Sequence, residues 1–464
     1  MNYYLAIDIG ASSGRHILGC LCNGIIVTEE IYRFHNGMIK RDGRLIWDTD
    51  ALFDEIITGI KLCGEAGKIP VSVGIDTWGV DYALLDKKGA RIGEATAYRD
   101  NRTSGMDAEV FKFISKEELY SRTGIQDQIF NTIYQLMAEK KDPANRLDQT
   151  DTLLMMPDYL HWRLCGQMTA EYTEASTTGL VNAFTGNWDD EIIGACGYPR
   201  KIFPEIVKAG TVLGGFTPDV QRLVGFNSNV VLPAAHDTGS AVMAVPSASE
   251  NMLYISSGTW SLMGVERDAP DCSEKSRLAN FTNEGGYGGR IRYLRNIMGL
   301  WMIQSVRKEL ERDYSYAELC DMAEKEESPS IVNCDDVRFL SPESMINEIK
   351  QACTELNQPV PQTPGQLAAS VYNSLAVCYR DTALNLEKLT GKNYEATHIV
   401  GGGSSAEYLN RLTARYTGKT VFAGPAEATA VGNLLAQMIA GKDFSDLRAA
   451  RACVRRSFGV KRFN

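Results

Sequence analysis

The sequence has little histidine and lacks the cysteine spacing of a zinc site. It contains five histidines in 464 residues, and its 11 cysteines include no CxxC pair. An odd number of cysteines scattered over a long chain is typical of reduced thiols in a cytoplasmic protein rather than of a disulfide framework. Cys20 and Cys22 lie two residues apart with no histidine beside them. We therefore expect core packing there rather than a metal site.

The sequence also lacks long apolar runs and an excess of positive charge, and we expect no export signal. Asp8 falls where a signal peptide would be hydrophobic. The apolar stretch 71–85 is the best candidate for a membrane helix, but Asp76 and Asp81 interrupt it. It therefore falls short of the roughly 18 apolar residues that a membrane helix needs. The 48 lysines and arginines against 58 acidic residues give a net charge of −10, which disfavours broad binding to nucleic acid or anionic membrane. We expect a small-molecule ligand, with no nucleic-acid or membrane partner.

The composition, 44% hydrophobic and 23% charged, is that of a globular protein and excludes a disordered or collagen-like chain. The length fits two large domains or three smaller ones. The first half predicts the order β-β-β-α-β. Its helix begins at a cap, Asp50, and the predicted strands cover residues 5–9, 15–22, 25–32 and 71–75.

A similar opening recurs in the second half, where strand 253–255 leads through a small-residue turn into strand 260–265. This similarity indicates an internal duplication. Further on, Pro364 suits the first turn of a long helix that Gly391 ends. Strands and helices then alternate at residues 398–400, 407–416, 420–422 and 427–439. We predict an α/β chain of two domains, 1–245 and 246–464, divided near Pro246.

Turns rich in small residues follow the first strand of each opening. The segment from Asp8 to Arg15 combines small residues and hydroxyls with a guanidinium that fits a phosphate group, and Asp8 can hold a hydrated cation nearby. Taken alone, this segment is equally well interpreted as a glycine-rich hairpin. The second turn, Ser257-Gly258-Thr259, favours the phosphate interpretation, because two such turns can hold the phosphates of one nucleotide from opposite sides. No Walker motif competes with them.

Three further segments follow strands with groups that can bind a ligand. Gly401-Gly402-Gly403 lets a planar ligand lie against the backbone, although a strained turn is the favoured interpretation of this motif alone. His236-Asp237-Thr238 places a carboxylate where it can deprotonate a sugar hydroxyl during phosphoryl transfer or cap the next helix. The segment from Asp76 to Asp81 combines carboxylates with Trp78, which suits a sugar. A core tryptophan between two capping acids is nearly as good an interpretation.

Ten segments of the chain resemble one family in their order and spacing. They are similar to the rhamnulokinases, members of the FGGY carbohydrate kinases, from residue 4 to about residue 440. The combination of GIDTWGVD, HDT and RNIMGLW makes the resemblance specific to that branch. The segments are IDIGASSGR, GIDTWGVDY, AYRDNRT, MPDYL, HDTGSAV, YISSGTWSLMG, NEGG, RNIMGLW, HIVGGG and AGPAEAT.

The resemblance implies two ribonuclease-H-like (actin-like ATPase) domains with the active site in the cleft between them. The N-terminal domain would bind sugar and phosphate, and the C-terminal domain would bind the nucleotide. ATP and Mg²⁺ are the implied cofactors, Asp237 is the implied general base, and Asp8 resembles the acid that helps to hold magnesium through water. The implied ATP contacts are Ala11, Ser12, Ser13, Gly14, Arg15, Thr259, Gln304 and Gly402. The implied sugar contacts are Gly79, His236, Asp237, Thr238 and Asn296.

Two positions depart from the wider family. Pro157 stands where many members have lysine, and proline at this position resembles the rhamnulokinases. After the triple glycine, Ser405-Ala406 replace the usual Gln or Lys followed by Asn or Ser. We therefore expect backbone rather than side-chain contacts to the nucleotide from that loop. The resemblance implies ATP-dependent phosphorylation of L-rhamnulose at its 1-hydroxyl in L-rhamnose catabolism. The alternatives are a related kinase for L-fuculose, L-xylulose or ribulose, an actin-like ATPase, and an inactive sugar sensor.

Overall fold

The computed structural model describes residues 1–247, 249, 251–326 and 328–464. The strands are β1 (Tyr3–Ile9), β2 (Ser13–Cys22), β3 (Ile25–His35), β4 (Ile39–Arg41), β5 (Arg44–Trp47), β6 (Pro70–Thr77), β7 (Tyr82–Leu85), β8 (Ala95–Thr96), β9 (Thr152–Met155), β10 (Ala170–Glu171), β11 (Ile206–Val207), β12 (Val212–Gly215), β13 (Asn229–Val231), β14 (Leu253–Ser257), β15 (Trp260–Arg267), β16 (Thr282–Gly285), β17 (Ile291–Met298), β18 (Ala396–Val400), β19 (Thr420–Ala423) and β20 (Lys461–Phe463).

The α-helices are α1 (Thr49–Glu65), α2 (Met106–Val110), α3 (Lys116–Thr123), α4 (Thr132–Lys141), α5 (Met156–Cys165), α6 (Tyr172–Ala175), α7 (Asp190–Ala195), α8 (Pro218–Val224), α9 (Asp237–Met243), α10 (Glu274–Leu278), α11 (Trp301–Glu309), α12 (Tyr316–Glu326), α13 (Met345–Glu355), α14 (Pro364–Thr390), α15 (Glu407–Thr417), α16 (Ala428–Ala440) and α17 (Leu447–Ser457). Short 3-10 helices cover Asn101–Thr103, Arg146–Gln149, Ser176–Thr178, Arg200–Ile202, Tyr287–Gly289, Val337–Phe339 and Gly402–Ser405.

Two sheets carry most of the strands. The first has the order β12-β13-β6-β1-β2-β3, and β1 is antiparallel to β2 and parallel to β6. The second has the order β16-β17-β15-β14-β18-β19-β20, and β14 is antiparallel to β15 and parallel to β18. A strand with a hairpin partner on one side and a parallel partner on the other therefore occurs in both sheets. This repeat agrees with the duplicated openings of the sequence.

Helix α1 covers one face of the first sheet, because its apolar residues are buried against that face. Leu52, Ile56, Ile60 and Cys63 are buried in the same core cluster as the apolar residues of β1. The predicted cap, Asp50, is wrong: Asp48 precedes the helix and accepts the backbone N–H of Ala51 at 3.1 Å. Asp50 lies inside the first turn instead.

The chain divides into two compact units. The first comprises Met1–Ala244, Glu266–Tyr293 and Thr429–Ser457. The second comprises Val245–Val265, Leu294–Ala428 and Phe458–Asn464. The first unit thus includes two segments that come late in the chain. The predicted domain limits, 1–245 and 246–464, stay a prediction.

Most predicted elements are confirmed to within a few residues. The long helix begins at Pro364, and Gly391 follows its last residue in a left-handed conformation. The hairpin formed by β4 and β5 was not predicted from the sequence. Among the helices of the described residues, none combines the length and apolar character needed to cross a bilayer.

Candidate active site

Three chain segments of the first unit end side by side at one edge of its sheet. Strands β1 and β6 are parallel, and Asp8 pairs with Asp76 in their register. Thr77 donates its backbone N–H to the carbonyl oxygen of Ala235 at 2.9 Å and forms a parallel bridge with His236. The carboxyl ends of parallel strands meet at the same edge of a sheet. This edge therefore carries Asp8, Asp76 and the residues that follow β13.

Asp237, the predicted general base, is the first residue of α9. Its side chain is one third exposed, and its Oδ1 accepts hydrogen bonds from the backbone N–H and the hydroxyl of the buried Thr238. Desolvation raises the pKa of Asp237 above the ordinary aspartate value; the His236 ring opposes this shift, and the charge of Asp8 adds to it. A reachable carboxylate with a raised pKa suits a group that accepts a proton.

The predicted phosphate turn lies between β1 and β2. Arg15 donates from Nε and Nη2 to Oδ2 of the buried Asp8, at 2.9 and 2.8 Å. Asn36 ties the turn to the end of β3, because its Nδ2 donates to the carbonyl oxygen of Gly10 and its backbone N–H donates to that of Ser12. Ser12 is exposed at the tip of the turn. Of the five predicted phosphate contacts, Ala11 and Ser12 therefore belong to the turn, and Ser13, Gly14 and Arg15 begin β2 beside Asp8.

Asp76 is the most deeply buried acid of this edge. Its Oδ2 accepts a hydrogen bond from Nδ2 of Asn433 at 2.6 Å, whereas its Oδ1 is buried without a hydrogen-bond partner among the residues that the structure describes. Burial raises the pKa of Asp76 well above its ordinary value, the charge of Asp8 raises it further, and the Asn433 amide opposes this. In the described part of the chain, no group of three or more His, Cys, Asp and Glu side chains is arranged to hold a metal ion.

The segment from Trp78 to Asp81 forms a tight turn after β6. The carboxylate of Asp81 is fully buried and accepts hydrogen bonds from the indole N–H groups of Trp47 and Trp78, at 2.6 and 2.9 Å. Burial raises the pKa of Asp81 to about 6. The interpretation of Asp81 as a sugar ligand is therefore wrong, because its oxygens serve the core. Val80 has a φ of 71°, which is strained for a branched side chain and is typical of functional sites.

Gly79 and His236, two predicted sugar contacts, lie against each other. A Cβ added to Gly79 would lie 3.4 Å from Nε2 of His236 and 3.3 Å from Oγ1 of Thr177. An alanine at this position would therefore be tight against Thr177 and in van der Waals contact with the imidazole ring. The structure brings Gly79, His236, Asp237 and Thr238 together in the first unit.

Sequence reasoning missed two residues on the other side of His236. Arg292 of β17 places its Nη2 3.0 Å from Nδ1 of His236. Glu284 of β16 lies 3.2 Å from that guanidinium and 3.4 Å from Nδ1. Arg292 is completely buried. Glu284 falls in the quoted segment NEGG, but Arg292 lies in a strand with two other arginines nearby, Arg290 and Arg295. Nothing in the sequence distinguishes it from a solvent-facing residue.

The predicted nucleotide contacts of the second unit gather around the turn between β14 and β15. The backbone N–H of Trp301 donates to the carbonyl oxygen of Thr259 at 3.1 Å, so the start of α11, the helix that carries Gln304, lies against this turn. Gly401 has a φ of 83°, and a Cβ there would lie 2.9 Å from the carbonyl oxygen of Ser257. A Cβ added to Gly402 would meet no atom of the described residues within 4 Å. There is therefore free space beside Gly402, and its contact with the nucleotide stays a prediction.

Asn296, the remaining predicted sugar contact, lies on β17 within the second unit and is half-buried. Its contact with the sugar stays a prediction.

Comparison with known proteins explains why these segments occur together. The model of the FGGY family of carbohydrate kinases, N-terminal domain, matches residues 3–244, and that of the C-terminal domain matches residues 253–441. The chain belongs to the FGGY family of carbohydrate kinases. It is 49% identical to a rhamnulokinase of Oceanobacillus iheyensis, over 98% of this chain and 97% of that protein. It is 48% identical to a rhamnulokinase of Halalkalibacterium halodurans, over 100% and 99% of the two chains.

Solved structures show the same fold. The ligand-bound xylulose kinase of Lactobacillus acidophilus superposes with a TM-score of 0.82 at 16% identity, over 100% of this chain and 94% of that one. The glycerol kinase of Plasmodium falciparum with ADP has a TM-score of 0.77 at 15% identity, over 100% and 94% of the two chains. The predicted fold, two ribonuclease-H-like domains of the actin-like type, is confirmed for this sugar kinase.

Proposed function

We propose that this FGGY kinase transfers the γ-phosphoryl group of ATP to the 1-hydroxyl of L-rhamnulose, a step of L-rhamnose catabolism. The observation that carries the proposal is the identity of 48–49% to proteins named rhamnulokinase over nearly the whole chain. The solved sugar kinases, at 15–16% identity, support the fold and leave the choice of sugar open.

Asp237 is the proposed general base. Its carboxylate accepts the proton of the 1-hydroxyl while that oxygen attacks the γ-phosphorus in line with the leaving group. Proton transfer is most efficient when the pKa of the base lies near the working pH, so the raised pKa of Asp237 favours this role. Thr238 holds the carboxylate through two hydrogen bonds, which fixes the direction of the attacking hydroxyl.

The other residues position the two substrates, because phosphoryl transfer depends mainly on alignment and electrostatics. His236, Thr238, Gly79 and Asn296 are the proposed sugar contacts. The proposed ATP contacts are the turn from Ala11 to Arg15 together with Thr259, Gln304 and Gly402. The guanidinium of Arg15 supplies positive charge at that turn, and Asp8 fixes its direction.

Mg²⁺ is the proposed cofactor, and the acids at the sheet edge fit it. Asp8 and Asp76 are register neighbours, and Oδ1 of Asp76 is buried with no hydrogen-bond partner in the described part of the chain. Magnesium prefers carboxylate and water oxygens and is usually held by one or two carboxylates plus substrate phosphates. Asp8 would hold the ion through water, and the neighbouring Asp76 would add negative charge to the site. When bound, the ion would neutralise charge on the phosphate oxygens.

A substrate panel tests the proposal. ADP release should be measured with L-rhamnulose, L-fuculose, L-xylulose and D-xylulose at matched concentrations, and without sugar. We expect the highest kcat/KM with L-rhamnulose, a 1-phosphate product by phosphorus NMR, and slow release of ADP without sugar. Preference for another ketose would reject the substrate but keep the kinase class. Equally fast hydrolysis without sugar would favour an actin-like ATPase.

A further inference from the structure

The imidazole ring of His236 is held between a cation on one side and the proposed base on the other. Its Nδ1 lies 3.0 Å from Nη2 of Arg292, and its Nε2 lies 3.5 Å from Oδ1 of Asp237. All three residues belong to the first unit. The two ring nitrogens therefore face chemically different partners.

These partners decide which nitrogen carries the proton. A guanidinium has only N–H donors and stays protonated in proteins. Nδ1 must therefore accept a hydrogen bond from Arg292, and a neutral imidazole that accepts at Nδ1 carries its proton on Nε2. The N–H of His236 then points to the side of Asp237 and Gly79.

We propose that Arg292 is a positioning residue of the phosphotransfer reaction, because it holds His236 in the tautomer whose Nε2–H can donate to an oxygen of the bound sugar. The proposal rests on the proposed function for the identity of that ligand. It assigns a task to a residue that does not itself touch the reacting atoms.

Glu284 is the group that would favour the opposite tautomer of His236. Its Oε2 lies 3.4 Å from Nδ1 of His236 and 3.2 Å from Nη2 of Arg292. Without the guanidinium, this carboxylate would accept a hydrogen bond from Nδ1–H and stabilise the opposite tautomer. The guanidinium of Arg292 also donates from Nε to the carbonyl oxygen of Gly285 at 2.7 Å, which fixes its plane. Arg292 and Glu284 therefore compete for Nδ1 of His236, and the contact of Arg292 is the shorter, at 3.0 Å against 3.4 Å.

The tautomer can be measured directly, without any assay of activity. Nitrogen-15 NMR of the protein labelled in its five histidines distinguishes a protonated ring nitrogen from an accepting one. His236→Gln identifies the signal of interest. At about pH 8, we expect Nε2 protonated and Nδ1 accepting in the wild type. A wild-type ring protonated on Nδ1 would overturn the proposal, and this result needs no variant to fold.

Two substitutions then test the cause. Arg292→Met removes the donor but keeps most of the volume, and we expect the signal to move towards the Nδ1–H tautomer. The KM for L-rhamnulose should rise roughly two- to tenfold, the effect of one hydrogen bond, with little change in the KM for ATP. Arg292→Lys keeps a donor and should restore part of both properties.

The matched control is Arg122→Met, which removes another ion-paired arginine of the first unit, one that contacts Asp189 and Glu191. It should leave the tautomer and both KM values unchanged. An unchanged tautomer in Arg292→Met would overturn the proposal. If instead the wild type shows the expected tautomer but does not phosphorylate L-rhamnulose, the proposed function fails and the role of Arg292 in fixing the ring stands.

Discussion

Identical carboxyl groups at this site differ in behaviour because their surroundings differ. Asp81 is fully buried, and indole and amide donors surround it, so it holds the core together. Asp8 is compensated by the guanidinium of Arg15. Asp237 alone among these three has a side chain that is one third exposed. The sequence predicted Asp8 and Asp237 as functional residues but could not separate Asp81 from them, because two of the donors to Asp81, Trp47 and Gln135, lie 34 and 54 residues away along the chain.

Asp237→Asn should lower kcat by about 10²–10⁴, the usual contribution of a general base. The amide has nearly the same shape and still accepts a hydrogen bond, so the dissociation constant for L-rhamnulose and the melting temperature should change little. Since the pKa of Asp237 is raised, the wild type should lose activity on acidification at a pH above the ordinary aspartate pKa of about 3.9. Rates from pH 4 to 8 and sugar titrations by calorimetry measure these effects. Asp219→Asn, at an exposed position, is the control. Near-normal turnover of Asp237→Asn would exclude Asp237 as the base.

Arg15→Ala should weaken the use of ATP much more than the binding of sugar. A charge-assisted hydrogen bond contributes about 1.5–3 kcal/mol, so kcat/KM for ATP should fall by roughly 10- to 100-fold. Arg33→Ala is a matched control, because Arg33 is the cross-strand partner of Arg15 on β3. Calorimetric titration of sugar without nucleotide gives the second measurement. Loss of sugar affinity with unchanged dependence on ATP would show that Arg15 contacts the sugar rather than ATP.

At the scale of elements, local patterns predicted the strands and helices of the site better than its turns. Apolar runs followed by small residues marked β1 and β14, an apolar run ending in an aspartate marked β6, and Pro364 and Gly391 marked both ends of α14. The strained conformation of Val80 could not be predicted, because valine rarely adopts a positive φ. It is held by tertiary hydrogen bonds: the carbonyl oxygen of Val80 accepts the hydroxyl of Thr132 at 2.7 Å.

Contact between α9 and α16 should depend on one glycine. A Cβ added to Gly432 would lie 1.7 Å from the backbone carbonyl oxygen of Ser240, so Gly432→Ala must push the two helices apart. We expect a loss of stability of about 1–3 kcal/mol or more, and a lower kcat because α9 begins with Asp237. Gly194→Ala in α7 is the control, since its Cβ would meet no described atom within 4 Å. Urea unfolding of both variants checks this, and equal stability would contradict the close approach.

At the scale of the whole molecule, the sequence predicted the duplication but not where its late segments pack. Helix α16 belongs almost entirely to the first unit. Its Asn433 donates to the carbonyl oxygen of Gly74 at 3.0 Å, and its Gln437 donates to that of Leu5 at 2.9 Å. These partners are separated by more than 350 residues along the chain. Periodicity within a short window carries no information about such pairs, which explains why a division at one point in the chain was the natural prediction.

The stability of the whole molecule should depend on pH through a buried acid behind the site. Glu174 is fully buried, and neither carboxylate oxygen has a hydrogen-bond partner among the described residues. Burial raises the pKa of Glu174 well above its ordinary value, and the charges of Asp158 and Glu171 raise it further. A group whose pKa is higher in the folded state contributes stability below its unfolded pKa, here about 4.3, and this contribution is lost as the pH rises towards the folded value.

Glu174→Gln removes this titration, so the variant should gain stability relative to the wild type as the pH rises from 5 to 8. The expected gain is up to about 1.4 kcal/mol per pH unit over the range in which only the folded protein keeps the proton. Urea unfolding at several pH values measures the difference in unfolding free energy. A constant offset between the two proteins reflects packing alone, so only the slope tests the idea. Glu65→Gln, at an exposed position, is the control for the substitution itself. A flat difference for Glu174→Gln would mean that its carboxyl group is not protonated in the folded protein.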